Sequence, residues 1–573
     1  MWKRSIDGMK ILEILRIDYR TDESRKIRKV GENKKMLVAC TKRACRAGLV
    51  AVLVTALCVL TLLDSPPRLP DPPADPPPTP DTMQQKGNRK RARLRITLPA
   101  GNTRHNIPSR GEPPGTRSIV AYSWARRLAL DYRPSKECDG ANGTNGTTSE
   151  MALETTSDAF ELTAIRWLET IPRRLFLYSG HLDLRVAGYP SLRVIAVKHG
   201  PLPTSSLFCT EERGRVRSYS MEALVSPIWL EEWGGETDSY TGILVSCQLP
   251  SLEGYTAYPS RVYVGATSCY ENPSHSLAIF RDNETQKDYS LKNNSKRFTL
   301  CIKGLDFDED ISEKLVAFVE LHRILGAGLF YFYVFDVHEN VLKVLRLYER
   351  SNVVRWFDLT LPGDLPKDKN DRREFFNKDI WTKRRMELIP YNHCFYENLR
   401  RSEFVIPIDV DEAIVPVKRK SWHGLIFDER RKLGETFQEF ASYSVRNAYF
   451  FPELQNKSKS DSFLENPDYL DTVRTSRISP EGDSVKSFIS TRRALTVHNH
   501  YALTTLNPTT RRAHHVDPND ALKHHHRACD SRYLDCDLLM EDVRIDVSAL
   551  RYANELKARM KVTFNDLNSI DNK

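Results

Sequence analysis

Phe404–Pro416 reads FVIPIDVDEAIVP, and the fold turns on this stretch. Residues 404–408 are apolar or Pro, as expected of a strand buried on both faces. The run ends in Asp409, Val410 and Asp411. In an extended chain, residues two apart face the same side. The spacing therefore predicts that the Asp409 and Asp411 carboxylates converge at the strand's carboxyl end. In open α/β sheets, ligands bind there. Two adjacent carboxylates repel each other, and a divalent cation would resolve the repulsion. The competing reading is a polar loop, Glu412 included, where the strand surfaces.

The flanking sequence supports a sheet. Phe298–Ile302 reads as a strand, Ile311–Leu325 as a helix closed by Gly326, and Leu329–Phe335 (LFYFYVF) as a continuous apolar strand. Val341–Arg350 follows as a helix, Val353–Leu359 as a strand, and Trp381–Leu399 as a long helix bent at Pro390. Alternating strands and helices predict an α/β fold around a mainly parallel sheet. Upstream, RLFLY (174–178), LRVIAV (192–197), GILVSC (242–247) and RVYV (261–264) read as strands of a smaller β-rich domain. No catalytic constellation is visible in that part.

Farther out lies a different texture. Residues 47–63 (AGLVAVLVTALCVLTLL) carry no charge and follow Lys42, Arg43 and Arg46. A single-pass anchor with its N-terminal side in the cytoplasm is expected. A cleaved signal peptide is the competitor, and the long tail before the run argues against it. Residues 65–81 are Pro-rich, 86–95 basic and 139–149 small and polar, which reads as a stem.

The 573 residues carry a net charge of +10, a balance that suggests nucleic acid. Its distribution removes that suggestion. Residues 1–46 hold 14 Lys/Arg against 6 Asp/Glu and residues 64–150 hold 14 against 9, so residues from 151 onward sum to −3. No nucleic-acid partner is expected. Of 11 Cys, Cys40, Cys45 and Cys58 precede or lie in the apolar run, and an even set of eight follows it. Sequons at Asn142, Asn145, Asn283, Asn293 and Asn456 all follow it too. Both features predict an oxidising lumen. Cys529 and Cys536 are close enough to pair locally, and no C-x₂-C spacing points to zinc.

Histidines cluster after the carboxylates. His498 and His500 sit in LTVHNHY, and His524–His526 form a second group. His500 or His525 is the expected additional ligand of a Mn²⁺-type site with mixed O and N donors. His514 and His515 read as surface. Lys486, in the apolar-flanked VKSFI, and Arg384, beside Arg385, are candidate donor-binding cations; surface salt bridges are the competing role of the two arginines. Together these features suggest metal-assisted cleavage of a nucleotide sugar's glycosidic bond.

FTLCIKGLDFDEDISEKLVAFVELHRILGAGLFYFYVFDVHENVLKVLRLYE, LTLPG (359–363), KRRMELIPYNHC (383–394), VIPIDVDEAIVP (405–416) and LTVHNHYAL (495–503), in this order, resemble glycosyltransferase family 92. The resemblance covers about 297–530 and extends to the β-rich stretch 158–270. It implies a GT-A fold, type II topology in the Golgi membrane, a UDP-galactose donor, Mn²⁺, and inverting transfer to a glycan such as fucose of N-glycans. It places the metal motif on Asp409 and Asp411 and sets His498 and His500 near the active site. This chain has His526 where the family usually has Tyr, and His393 where Asp is frequent. Those departures bear on the acceptor. An inverting transfer needs a carboxylate base, and Glu453 and Asp483 are alternative candidates. The expected organisation is a tail (1–46), anchor (47–63), stem (64–150), β-rich domain (151–295) and GT-A-like domain (296–560). Two other functions stay open: a glycan-binding protein that keeps the fold without catalysis, and a metal-dependent hydrolase.

Overall fold

The computed structural model describes residues 136–138, 167–213, 217–230, 233–236, 238–249, 258–269, 275–280, 297–455, 462–532 and 534–571. The expected anchor and all five sequons lie outside the described residues, as does the stem except for residues 136–138, which pair with residues 218–220 and so belong to the β-rich sheet rather than to a stem. No described helix is long and apolar enough to cross a membrane.

The first part is all β: β1 (Lys136–Cys138), β2 (Leu168–Ile171), β3 (Leu175–Asp183), β4 (Ser191–His199), β5 (Phe208–Arg213), β6 (Arg217–Glu222), β7 (Leu224–Pro227), β8 (Tyr240–Gln248), β9 (Arg261–Gly265) and β10 (Leu277–Phe280). They form one sheet in the order β1-β6-β5-β9-β10-β3-β4-β8-β7, with β2 paired to β3. Alternation sorts β3 between two cores. Leu175 and Leu177 join a core internal to this sheet, with Val194 and Ile243. Phe176 and Tyr178 face the other way, into a core shared with the second part.

The second part begins α/β: β11 (Phe298–Asp306), α1 (Ser312–Leu325), β12 (Leu329–Asp336), α2 (Glu339–Arg350), β13 (Val354–Asp358), α3 (Lys369–Lys378), α4 (Ile380–Met386), α5 (Leu388–Glu397) and β14 (Phe404–Pro407). It continues with β15 (Glu412–Pro416), α6 (Trp422–Leu433), β16 (Ser442–Val445), β17 (Asn447–Tyr449), β18 (Val473–Thr475), β19 (Lys486–Ser490), β20 (Ala494–Val497), β21 (Ala502–Thr505), β22 (His514–His515), β23 (Ala521–His525), α7 (Cys536–Glu541), β24 (Val543–Ile545) and α8 (Ala553–Asp571). The main sheet runs β13-β12-β11-β14-β19-β16-β22. β13, β12, β11 and β14 are parallel, whereas β19 is antiparallel to β14 and to β16. The sheet is thus mixed, with its parallel half where the strand–helix alternation was legible. A three-stranded sheet, β15-β23-β17, stands beside it.

β12 is apolar throughout because both its faces are covered. Phe330, Phe332 and Val334 pack beneath α1 and α2. Leu329, Tyr331 and Tyr333 meet α5 and the β-rich sheet. Gly326, at φ 123°, ends α1 with its N–H donating to the His322 and Arg323 carbonyls.

Two sequence expectations change here. The long helix over 381–399 is two helices broken at Glu387, not at Pro390. Pro390 is the third residue of α5, where an N–H has no intrahelical acceptor to lose. His514 and His515 are half-buried in β22, and His514 Nε2 lies 3.0 Å from Glu429 Oε2. Helix α8 runs through residue 560, where the sequence reading ended the domain.

All eight cysteines beyond the apolar run pair: Cys138–Cys269, Cys209–Cys247, Cys301–Cys394 and Cys529–Cys536. Cys301–Cys394 ties β11 to α5 inside the shared core, across a separation of 93 residues. A Cys301→Ser/Cys394→Ser double variant is expected to lose about 2–4 kcal/mol of stability, read as a lowered urea midpoint under non-reducing conditions.

Candidate active site

Strands β11 and β14 are parallel neighbours, so their carboxyl ends emerge together. The chain turns as soon as it leaves β14, with Glu412 N–H donating to the Asp409 carbonyl at 3.1 Å. Asp409 and Asp411 therefore sit on a turn rather than in an extended strand, yet the Asp409 charge still reaches Asp411 and opposes its ionisation. Each carboxylate has its own surroundings.

Asp409 is held by lysines. Lys303 of β11 lies 3.2 Å from its Oδ1, and Lys486 at the start of β19 donates to its Oδ2 at 3.2 Å. Burial would raise the Asp409 carboxyl, but the Lys303 and Lys486 charges outweigh it and hold the group well below the ordinary carboxylate range. Lys303 also lies 3.6 Å from Glu387, the residue between α4 and α5. The Lys486 ammonium is fully buried, and donates as well to Asn499 Oδ1. The Tyr391 hydroxyl, buried on α5, is raised well above its usual range by burial and by the Asp409 charge.

Glu412 completes this lattice. Its Oε2 accepts from the Asp409 N–H at 3.1 Å and lies 3.3 Å from Lys486. Its Oε1 accepts from Lys523 of β23. Glu412, Lys486 and Lys523 are all buried. Burial, with the Lys486 charge, pushes the Lys523 ammonium down, and Glu412 opposes that shift.

Asp411 has a further neighbour. Its Oδ2 lies 3.4 Å from Nε2 of His525, the last residue of β23. Its carbonyl accepts from the His526 N–H at 2.8 Å, and the neighbouring Val410 carbonyl accepts from Tyr469. Burial opposes ionisation of Asp411, but the hydrogen bond with His525 lowers it to about 2. Burial and the Lys523 charge lower the His525 imidazole, keeping it neutral. Its Nδ1 has no hydrogen-bond partner and lies 3.8 Å from Glu412 Oε1.

The other candidates fall around this centre. His500 donates from Nδ1 to the Val485 carbonyl at 2.7 Å, so the structure brings His525, not His500, to Asp411. Arg384 is exposed, its guanidinium 5.3 Å from the Trp381 ring centroid. Arg385 is buried and donates to the Gly234 and Glu236 carbonyls. Glu453 is exposed on a single 3₁₀ turn. Asp483 is exposed in a tight turn, and its charge reaches Tyr449, whose ring stacks on His525 at 5.4 Å.

Sequence reasoning missed Lys303, Lys523, Glu387 and Asn499. The signal that drew attention to Lys486, a lone lysine among apolar residues, is also present in FTLCIKGLD and ALKHH. A cleft of about 210 Å³ opens beside Lys303, at the carboxyl ends of β11 and β12. It is lined by Gly304, Phe335, Leu359, Phe376, Met386 and Glu387, with Asp306, Arg373, Asn377 and Lys383.

A buried lattice of carboxylates and ammoniums at parallel strand ends, beside an apolar cleft with polar edges, suits an anionic ligand carrying a flat or apolar group. Residues 296–572 match Glycosyltransferase family 92. That region belongs to the family. No curated protein matches the chain. The matched region begins two residues before β11 and ends one residue after α8, so it contains the whole lattice.

Two outcomes test these electrostatics. Lys486→Met leaves Asp409 and Glu412 short of a partner, and should cost about 3–5 kcal/mol in urea unfolding. Asp411 has a depressed pKa, so its stabilising contribution is present above about pH 4 and fades as pH falls towards 2. The gap between wild type and Asp411→Asn, about 1–2 kcal/mol at pH 6 by that linkage, should shrink at pH 3.

Proposed function

We propose that this protein, with its family 92 region, is a lumenal, membrane-anchored hexosyltransferase that moves galactose from UDP-galactose to a glycan with inversion. The observation that carries this reading is the division of labour at the end of β14. Asp409 is ion-paired with two lysines, whereas Asp411 and a neutral His525 face each other at 3.4 Å.

The fit to a divalent cation rests on that second pair. Among the described residues, no three His, Cys, Asp or Glu side chains gather into a metal cage. A cation would thus take two protein ligands, Asp411 and His525, and find its other donors on the diphosphate. His525 would offer Nε2 as the Nδ1–H tautomer, whose proton would lie on the side of Glu412 Oε1, 3.8 Å away. When bound, Mn²⁺ would supply charge neutralisation for the leaving diphosphate.

The protein's own groups do the rest. Lys303, partly open and aimed by Asp409, would face the same charge, and the buried Lys486 would hold Asp409 in place behind it, so little reorganisation is needed as the charge develops. The cleft beside Glu387 would hold the nucleoside, with Phe335 and Phe376 against the base. The acceptor oxygen attacks the anomeric carbon on the face opposite the phosphate. Its proton goes to a carboxylate, while the electron pair of the breaking C–O bond stays with the diphosphate. Asp483 is the candidate base whose charge reaches the ring stacked on His525. The cluster of three or more ligands that a hydrolase would need is missing among the described residues.

The test is a screen of UDP-sugars with Mn²⁺ and a fucosylated N-glycan acceptor. Release of UDP with UDP-galactose, abolished by EDTA, is the expected result. Asp411→Asn and His525→Ala should each lower transfer by more than 100-fold and weaken Mn²⁺ binding measured by calorimetry. Silence with every donor, from folded protein, would favour the non-catalytic glycan-binding alternative.

A further inference from the structure

One aromatic row connects the β-rich part to the lattice. The Trp229 ring lies 5.2 Å from Trp233 and 6.2 Å from Trp381, and Trp233 lies 4.5 Å from His498. Trp229 is 5% exposed and forms the buried middle of the row, whereas Trp381 is 37% exposed and Trp233 half-buried. The residue after His498 is Asn499, whose Oδ1 accepts from Lys486, and Lys486 donates to Asp409. The open part of the row is therefore linked through His498 and its neighbour Asn499 to Lys486 of the lattice.

The loop that carries Trp233 is tightly held. Gly234 and Gly235 adopt φ of 105° and 94°, where side chains are strained. A Cβ on Gly234 would stand 3.2 Å from the Trp381 ring, and one on Gly235 would stand 2.3 Å from Arg385 Nη2. Trp229 Nε1 donates to the Gly234 carbonyl at 3.2 Å, and Arg385 donates to Gly234 and Glu236. This anchoring fixes the Trp233 ring in advance, which lowers the entropy cost of binding. His498 Nδ1 has no hydrogen-bond partner.

We propose that Trp233, with Trp381 and His498 beside it, is the acceptor platform: the apolar C–H face of one neutral sugar ring of the glycan stacks on the Trp233 indole. The proposal rests on the transferase reading above. Sugars present an apolar face ringed by hydroxyls, and a row of indoles edged by imidazole and guanidinium matches both features. Arg384, over the Trp381 ring at 5.3 Å, is a hydroxyl donor at the outer end. The β-rich part thus contributes a wall of the acceptor site.

Steady-state kinetics of the full-length protein test this, with UDP-galactose and a fucosylated N-glycan. Trp233→Ala should raise the acceptor KM at least tenfold, leave the donor KM and acceptor-free hydrolysis of UDP-galactose within twofold, and be rescued by Trp233→Phe. An unchanged acceptor KM in folded Trp233→Ala overturns the proposal. If that variant fails to fold, Trp381→Ala serves instead. A threefold or larger rise in acceptor KM supports the platform, and no change overturns it. Should wild type catalyse no transfer, intrinsic tryptophan fluorescence titrated with the same glycan separates the two ideas. Saturable quenching lost in Trp233→Ala keeps the platform while the transferase reading falls, and absence of quenching removes both.

Discussion

Asp409 and Glu412 are buried carboxylates, and three lysines from three strands neutralise them: Lys303 from β11, Lys486 from β19 and Lys523 from β23. Burying any of these charges alone costs several kcal/mol, so each is tolerated only because the others are in place. The lattice thereby couples the parallel half of the main sheet, its antiparallel half and the small sheet at one point. It also gives the two Asp carboxylates different partners. Asp409 is committed to ammoniums, and Asp411 is left with a neutral imidazole.

The β-rich part belongs to the same construction. Arg185 donates to the Thr491 and Ala494 carbonyls at 2.7 Å while Asp183 holds its guanidinium at 2.8 Å on two nitrogens. That fixes the segment entering β20, whose far end is the turn carrying His498, Asn499 and His500. The shared core is built from Phe176, Tyr178 and Val197 on one side and Tyr331, Tyr333 and Phe395 on the other. A contact network this continuous makes the β-rich sheet a structural partner of the transferase region, not a detachable neighbour.

Much of this was legible because periodicity and burial are local in the chain. The apolar runs of β12 and β14, the helix ended by Gly326 and the strand-end carboxylates could be read directly. The break at Glu387 escaped because a proline within the first turn of a helix is harmless, and so it drew attention to the wrong residue. Lys486 was recognisable as a lone lysine in an apolar strand. Lys303 and Lys523 carry the same signature but acquire meaning only from the carboxylates they meet, 106 and 111 residues away along the chain.

The sequence by itself determined the strand–helix alternation, the place of Asp409 and Asp411 at a strand end, and the even set of cysteines. These depend on residue type at fixed spacing. Only the tertiary structure decided that Asp409 meets Lys303 and Lys486, that His525 rather than His500 reaches Asp411, which cysteines pair, and that Trp233 stands beside His498. Each of these is a contact between distant segments, set by a turn hydrogen bond, strand order or loop anchoring that no local pattern encodes.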